Sequence, residues 1–282
     1  MKPIIFTGHS RPIKDLTFAN NSEHLFSASS DRNVILWAAE TGQKITTYQH
    51  TSAINSIKIT SDSKLLITGD NTGTSYIWDV QAGNLLKKFE NESLLLTKNL
   101  TLSQDSNKVA LISSGRTKDS SSYVNIYNLL DMITFDFNSI ESLEPLFRKE
   151  SDKGQKYITS KFTKNDNLLY ISREDGFIEV INVKDKDTTE NLKQFHKSAI
   201  IDIDMSPNDD FIITASLDGS ANLIEAKNFE IVKTFKPENP KRNVNTCKFL
   251  PSVQLNSEDF YRQNFHAVGY SWRSRIKKCN IN

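Results

Sequence analysis

Short runs in which apolar and polar residues take turns set the pattern of this chain. "IKDLTFA" alternates with a period of two, and "HLFSASS" and "NVILWAA" follow it after the polar breaks "NNSE" and "SDRN". "QKITTYQ" closes the group. A period of two, rich in β-branched and aromatic residues, predicts strands, and the Asn, Ser, Asp and Gly breaks predict tight turns. The same group then returns in register. Trp37 is met again as Trp78, Gly42 as Gly83 and His9 as His50, at a spacing of about 41 residues.

Such self-similarity decides the fold before any single element does. The steps that lead from His9 to Asp31 and Trp37 lead from His50 to Thr72 and Trp78, and from His196 to Asp218 and Ile224. Two weaker copies lie between. One has Tyr127 in the Trp place and an insertion around "GRTKDSSS"; the other has Asp175 six residues before Ile181. Four strands per unit, ending in W or WD, predict an all-β WD40 β-propeller of about five to six blades. A lone four-stranded sheet has two apolar faces; packed radially, each sheet covers its neighbour. The expected repeats span 8–48, 49–89, 90–147, 148–194 and 195–235 of a single domain. A partial sixth unit is expected over 236–270 and an anomalous tail over 271–282.

His9, Asp31 and Ser27 or Ser29 have the residue types of a nucleophilic triad. Their recurrence with the repeat argues for a structural task instead, because an enzyme needs no nucleophile in every blade. The His is expected to bond the turn Asp, and the Trp to fill the space between sheets. His9, Asp31, Trp37, His50, Trp78, Asp175, His196 and Asp218 are therefore assigned to the fold. The histidines belong to separate blades, so no metal site is expected, and no catalytic group or cofactor.

Composition narrows the setting. Of 282 residues 37% are hydrophobic and 24% charged, and 35 basic side chains nearly balance 34 acidic ones for a net charge of +1. That balance gives no general pull toward nucleic acid or anionic membranes. Cys247 and Cys279 form no CxxC pair, which argues against a disulfide framework or zinc module. "MKPIIFTGHSRP" has no apolar signal core, and no run approaches a membrane span. A soluble, cytoplasmic protein is expected. "GDNTGTS" reads as a turn, because the Lys and helix start of a phosphate loop are missing. "RSRIKK" reads as a solvated basic tail, and "DMITFDFNSIESLEPLFRKE" as a long loop packed on its own blade, with partner docking as the lesser alternative.

The opening "MKPIIFTGHSRPI" resembles subunit i of eukaryotic translation initiation factor three, a WD-repeat family. The order of good and poor repeats is similar too: repeats one, two and five carry His9, His50 and His196, while Asn91 and Lys153 stand in the His place of repeats three and four. "IITASLDGSANLIEAKNFEIVKTFKPENP" resembles the family's fifth repeat. The resemblance implies a seven-bladed, non-catalytic platform that holds subunits b and g and meets the small ribosomal subunit through the complex. It implies partner binding by acidic positions that here read Asn208, with Asp209 and Asp210 beside it, and Glu225. A sister family, the kinase-receptor-associated WD protein, implies instead an adaptor of signalling or RNA-assembly complexes. The family expects a glycine-rich stretch and a whole seventh repeat near the end, with "KPIIFTG" as that blade's outer strand. The residues after about Gly269 are accordingly expected to be an incomplete or frame-shifted continuation.

Overall fold

The computed structural model describes residues 3–90, 95–117, 119–135, 143–185, 187–237 and 244–249. Among them the chain forms five four-stranded antiparallel sheets, each with its strands in sequence order. The sheets fall into two compact units, Met1–Gly154 and Gln155–Asn282.

In the first unit, β1 (Ile13–Phe18), β2 (His24–Ser29), β3 (Asn33–Ala38) and β4 (Lys44–Gln49) make the first sheet. The second contains β5 (Ile54–Ile59), β6 (Leu65–Asp70), β7 (Thr74–Asp79) and β8 (Leu85–Glu90). The third is built from β9 (Leu96–Leu102), β10 (Lys108–Ser114), β11 (Ser122–Asn128) and β12 (Phe147–Glu150), with the helix α1 (Leu129–Thr134) between its last two strands. In the second unit, β13 (Tyr157–Phe162), β14 (Leu168–Arg173), β15 (Phe177–Asn182) and β16 (Asp187–Gln194) form the fourth sheet. The fifth comprises β17 (Ile200–Met205), β18 (Phe211–Ser216), β19 (Ala221–Glu225) and β20 (Ile231–Phe235).

Burial explains which runs alternate. The middle strands are covered on both faces, so β2 and β3 read as nearly continuous apolar runs, whereas β1 alternates half-buried and exposed. The fourth strands are outer edges and carry charge, as in Lys87, Lys88 and Glu90 of β8. Between the first two sheets, Phe26, Ala28, Val34, Leu36 and Tyr48 enclose Ile54, Ile57, Leu66, Tyr76 and Trp78. Ile67, Ile77 and Phe89 close on Leu100, Leu111 and Tyr127 in the same way. In the second unit Tyr170, Ile178 and Val180 pack on Ile200, Ile203, Ile212 and Ile224.

Polar clips fix the register between sheets. Asp15 reaches from β1 to β5, where its Oδ2 accepts from Ser56 Oγ (3.0 Å), Ile57 N–H (2.9 Å) and Lys58 Nζ (3.1 Å). Asp202 repeats this from β17: its Oδ2 accepts from Thr246 Oγ1 (2.6 Å), Cys247 N–H (3.1 Å) and Lys248 Nζ (3.1 Å). "VNTCKF", residues 244–249, thus stands to the fifth sheet as "INSIKI" of β5 stands to the first, and Val244, Cys247 and Phe249 join its apolar cluster. A second set of clips joins the first turns of neighbouring sheets. Asn20 N–H donates to Ser63 Oγ (2.9 Å), Ser61 N–H to Ser106 Oγ (2.8 Å) and Lys164 N–H to Asp209 Oδ2 (2.7 Å).

Two features differ from the sequence reading. The fourth strand of the third sheet runs to Glu150, past the repeat edge expected at 147. The long connection opens with a helix instead of a loop: the Asn128 side chain caps Leu130 and Asp131 N–H, and Leu129 and Met132 are buried. Residues 3–10, which include "PIIFTG", take no regular secondary structure, and Phe6 meets Trp37 edge-on at 5.7 Å. Asn91, most of the sixth unit, the tail over 271–282 and Cys279 lie outside the described residues.

Candidate functional site

Two places deserve a site's scrutiny: the histidine network of the repeats and the acidic turns of the fifth sheet. In the first sheet, His9 Nδ1 lies 2.9 Å from Asp31 Oδ2, and His9 Nε2 lies 2.6 Å from Ser27 Oγ. Those are the contacts of a Ser-His-Asp triad. Three facts give them another meaning. Ser27 is 2% exposed and its Oγ also accepts the Trp37 indole N–H at 2.7 Å, so it has no open side for a substrate. Asp31 ties down the turn itself, accepting from Ser10 N–H (2.9 Å) and Asn33 N–H (3.0 Å). And the arrangement recurs. In the fifth sheet His196 meets Asp218 Oδ2 at 3.0 Å and Thr214 Oγ1 at 2.8 Å, with Ile224 in the Trp place.

The second sheet uses a variant. His50 Nε2 meets Thr68 Oγ1 at 2.8 Å, and Trp78 Nε1 donates to the same hydroxyl at 3.4 Å. The carboxylate has moved: Asp70, two positions before Thr72, accepts from Thr72 N–H, Thr74 N–H and Tyr76 Oη. His50 Nδ1 therefore faces Tyr48 O (3.1 Å) instead of a carboxylate. The fourth sheet has no histidine. Arg173 reaches from β14 and holds Asp175 through Nε (3.1 Å) and Nη2 (2.6 Å). Its other flank faces the buried Glu179, which also accepts from Tyr157 Oη at 3.1 Å. Ser27, Thr68, Thr214 and Arg173 carry the network as much as the histidines do. The three hydroxyls sit at one fixed step after His9, His50 and His196, a signal that the sequence holds.

Burial tunes these groups. Desolvation pushes His50 from its ordinary 6.5 down to about 4, against the backbone bonds of Tyr48 and Arg32 and the pull of Asp70. Burial lowers His196 as well, opposed by Asp218. For Asp31 and Asp218 burial acts upward, but hydrogen bonds from Ser10 and His9, and from Ser220 and Lys197, leave both carboxyls below the ordinary value. In the fifth sheet these directions favour a neutral His196 beside an ionised Asp218, suited to holding a turn.

The acidic turns of the fifth sheet are of a different kind. Asn208 and Asp210 are exposed in the turn after β17, and Glu225 is half-buried at the end of β19. Ala226 N–H donates to Asp210 O at 2.8 Å, which stitches the two turns side by side. Asn208 binds Ser206 Oγ (2.7 Å) and Asp210, and Glu225 Oε2 accepts from Asn228 Nδ2 at 2.6 Å. The exposed Glu230 adds a third carboxylate. Asp209 does not share this surface: its carboxylate turns to Lys164 N–H of the fourth sheet, and burial raises its pKa despite that bond. The sequence reading grouped it with its neighbours, but its left-handed backbone, at φ 62°, aims it away from them.

Among the described residues no group of three or more His, Cys, Asp or Glu could hold a metal ion, and no helix is long and apolar enough to cross a membrane.

Known proteins match this geometry. The family described as WD domain, G-beta repeat, matches residues 2–38 and 42–79, and a family described as a beta-propeller domain matches residues 134–262. Eukaryotic translation initiation factor 3 subunit I of Caenorhabditis elegans is 27% identical over 254 residues, covering 89% of this chain and 74% of the relative. The Schizosaccharomyces pombe protein of that name is 27% identical over 260 residues with the same coverage, and the Neurospora crassa one 28% over 249 residues, covering 85% and 68%. The solved structure titled "Structure of U3-55K" matches with a TM-score of 0.66 at 18% identity, over 82% of this chain and 66% of that one, a likeness of fold alone. Repeated four-stranded sheets and the two family matches give the chain an all-β WD40 β-propeller fold class, and the run of relatives makes it similar over most of its length to subunit I of eukaryotic translation initiation factor 3.

Proposed function

We propose that the chain is a non-catalytic WD-repeat scaffold of the eukaryotic initiation factor three complex, working in the cytoplasm. It docks other subunits, b and g among them, and so supports 43S pre-initiation complex assembly, mRNA recruitment and contact with the small ribosomal subunit. The observation that carries this reading is the similarity to subunit I along 89% of the chain. The histidine networks agree with it, because each is spent on a turn. Docking falls to the carboxylates of the two stitched turns of the fifth sheet. Asp210 and Glu225, with Asn208 orienting the first, form a small acidic surface that fits Arg or Lys on a partner helix. Asp209 supports that surface from behind.

The test has two parts. Affinity purification with mass spectrometry should recover initiation-factor subunits and small-subunit ribosomal proteins; recovery of signalling or RNA-assembly complexes instead would favour the adaptor reading. Reversal of both charges in Asp210→Lys/Glu225→Lys should weaken binding of subunit b by about tenfold, as for rim charge pairs of about 0.5–1 kcal/mol each. Unchanged affinity by calorimetry, with an unchanged melting curve, would move the interface elsewhere.

A further inference from the structure

Left-handed backbone at residues other than glycine carries strain, and in this molecule the side chain at such a position usually has a task. Ser63, Ser106 and Asp209 have φ of 60°, 60° and 62°, and each accepts the amide that joins its turn to the preceding sheet. Phe229, at φ 57°, packs its ring near those of Tyr170 and Phe195, at 6.3 Å from each. Arg32 has the largest positive φ of these, 73°, at the turn between β2 and β3. The same turn position is glycine in the second, fourth and fifth sheets, as Gly73, Gly176 and Gly219, with φ of 90°, 84° and 83°. At Gly176 the reason is visible: a Cβ there would stand 2.0 Å from His196 O. The first sheet has room for a side chain, and it presents a cation. Arg32 is exposed, and its guanidinium makes no hydrogen bond or ion pair among the described residues.

Two more cations stand beside it. Ser29 Oγ donates to Arg11 O (2.9 Å), Ser30 N–H to Pro12 O (3.0 Å) and Ser10 N–H to Asp31 (2.9 Å), so the segment carrying Arg11 lies along the Arg32 turn. Lys14 follows on β1, next to Ile13, which pairs with Ser29. Arg11 and Lys14 are both exposed, and neither has an ion-pair partner among the described residues. The nearby carboxylates are already engaged: Asp31 by His9 and two amides, Asp15 by Lys58 and β5. The cluster is thus a local excess of positive charge on a chain whose net charge is +1.

We propose that Arg11, Lys14 and Arg32 form an anchor for an acidic peptide segment of a partner protein, separate from the acidic surface of the fifth sheet. The observations favour a peptide over nucleic acid. The segments 7–14 and 29–34 hold no Phe, Tyr or Trp on which a base would stack, and the one imidazole there, His9, is buried against Asp31 and Ser27. Three cations also fall short of the several phosphate contacts that hold a duplex at physiological salt. A short run of carboxylates is matched by three donors on neighbouring turns, two of them guanidinium forks suited to bidentate pairing.

The full chain can be tested with a fluorescein-labelled peptide of alternating Glu and Gly, read by anisotropy at low salt. Arg32→Gly is the decisive variant, because it removes the cation while installing the residue that three other turns carry, so it should melt no lower than the parent. It should weaken peptide binding by about threefold, and Arg11→Gln/Arg32→Gly by about tenfold or more. Lys227→Gln, an exposed cation of the fifth sheet, should leave binding unchanged. Equal affinity of the parent and the folded Arg32 variants would overturn the proposal, and so would absence of peptide binding. Tighter binding of a labelled oligouridine, lost in the same variants, would assign the surface to nucleic acid and overturn it too.

Discussion

The first and fourth sheets solve one problem with different chemistry. Each must hold a turn aspartate, Asp31 or Asp175, at the end of a buried strand pair. The first does it with an imidazole from outside the sheet, braced by Ser27 and Trp37. The fourth does it from inside the sheet, with a guanidinium that is itself balanced by the buried Glu179. The difference teaches that the repeat requires a held carboxylate more than it requires histidine. It also means that the two sheets fail differently when disturbed.

The largest effect should follow removal of the indole. Trp37→Ala should cost about 3–5 kcal/mol in urea unfolding, because it opens a cavity against Phe6 and leaves the buried Ser27 hydroxyl short of a donor. Ile181→Ala, at the same place in the fourth sheet, should cost less, since no polar group is orphaned there. Equal losses would dissolve the comparison.

Next comes the buried charge. Arg173→Met should cost about 3 kcal/mol, by removing the guanidinium that faces the buried Glu179 carboxylate. Arg173→Met/Glu179→Gln should recover a good part of that loss, because the orphaned charge is gone. A double variant no more stable than the single one would show that Arg173 acts by packing over Phe177, 5.3 Å away, and not through charge.

The smallest effect is a matter of pH. His50 is held at about 4 in the folded chain against an ordinary 6.5, so the unfolded chain binds a proton that the folded one excludes. Its contribution is fully present above 6.5 and drains away as pH falls toward 4, by on the order of 1–3 kcal/mol. Hydrogen exchange should show β6 and β7 opening over that window while β14 and β15, held by arginine, do not. His50→Gln should flatten the response; an unchanged profile would exclude His50 as its source.

Much of the fold could be read from the sequence, because each repeat restates the others. Strand alternation, Trp37 and Trp78, and the His9–Asp31 spacing recur at one step, so chance matches drop out. What escaped reading was whatever departs from the metre. Asp70 sits two places early, so the step lands on Thr72 instead. Arg173 replaces a histidine from another strand, with no shared spacing. Helix α1 is six residues long, too short for a period to appear. Asp209 looks like its acidic neighbours in sequence, and only the backbone angle separates it from Asp210. For the proposed docking surface, types and order were legible, but the side to which each carboxylate turns was not.

The clip formed by Asp15 has a consequence for how the protein is made. Asp15 and Ser56 are 41 residues apart, one repeat, and Asp202 reaches 44 residues forward to Thr246. In the first and fifth sheets the first strand therefore presents the acceptor that seats the segment one repeat later. At these two seams a chain leaving the ribosome can seat the newly made segment on a module already synthesised.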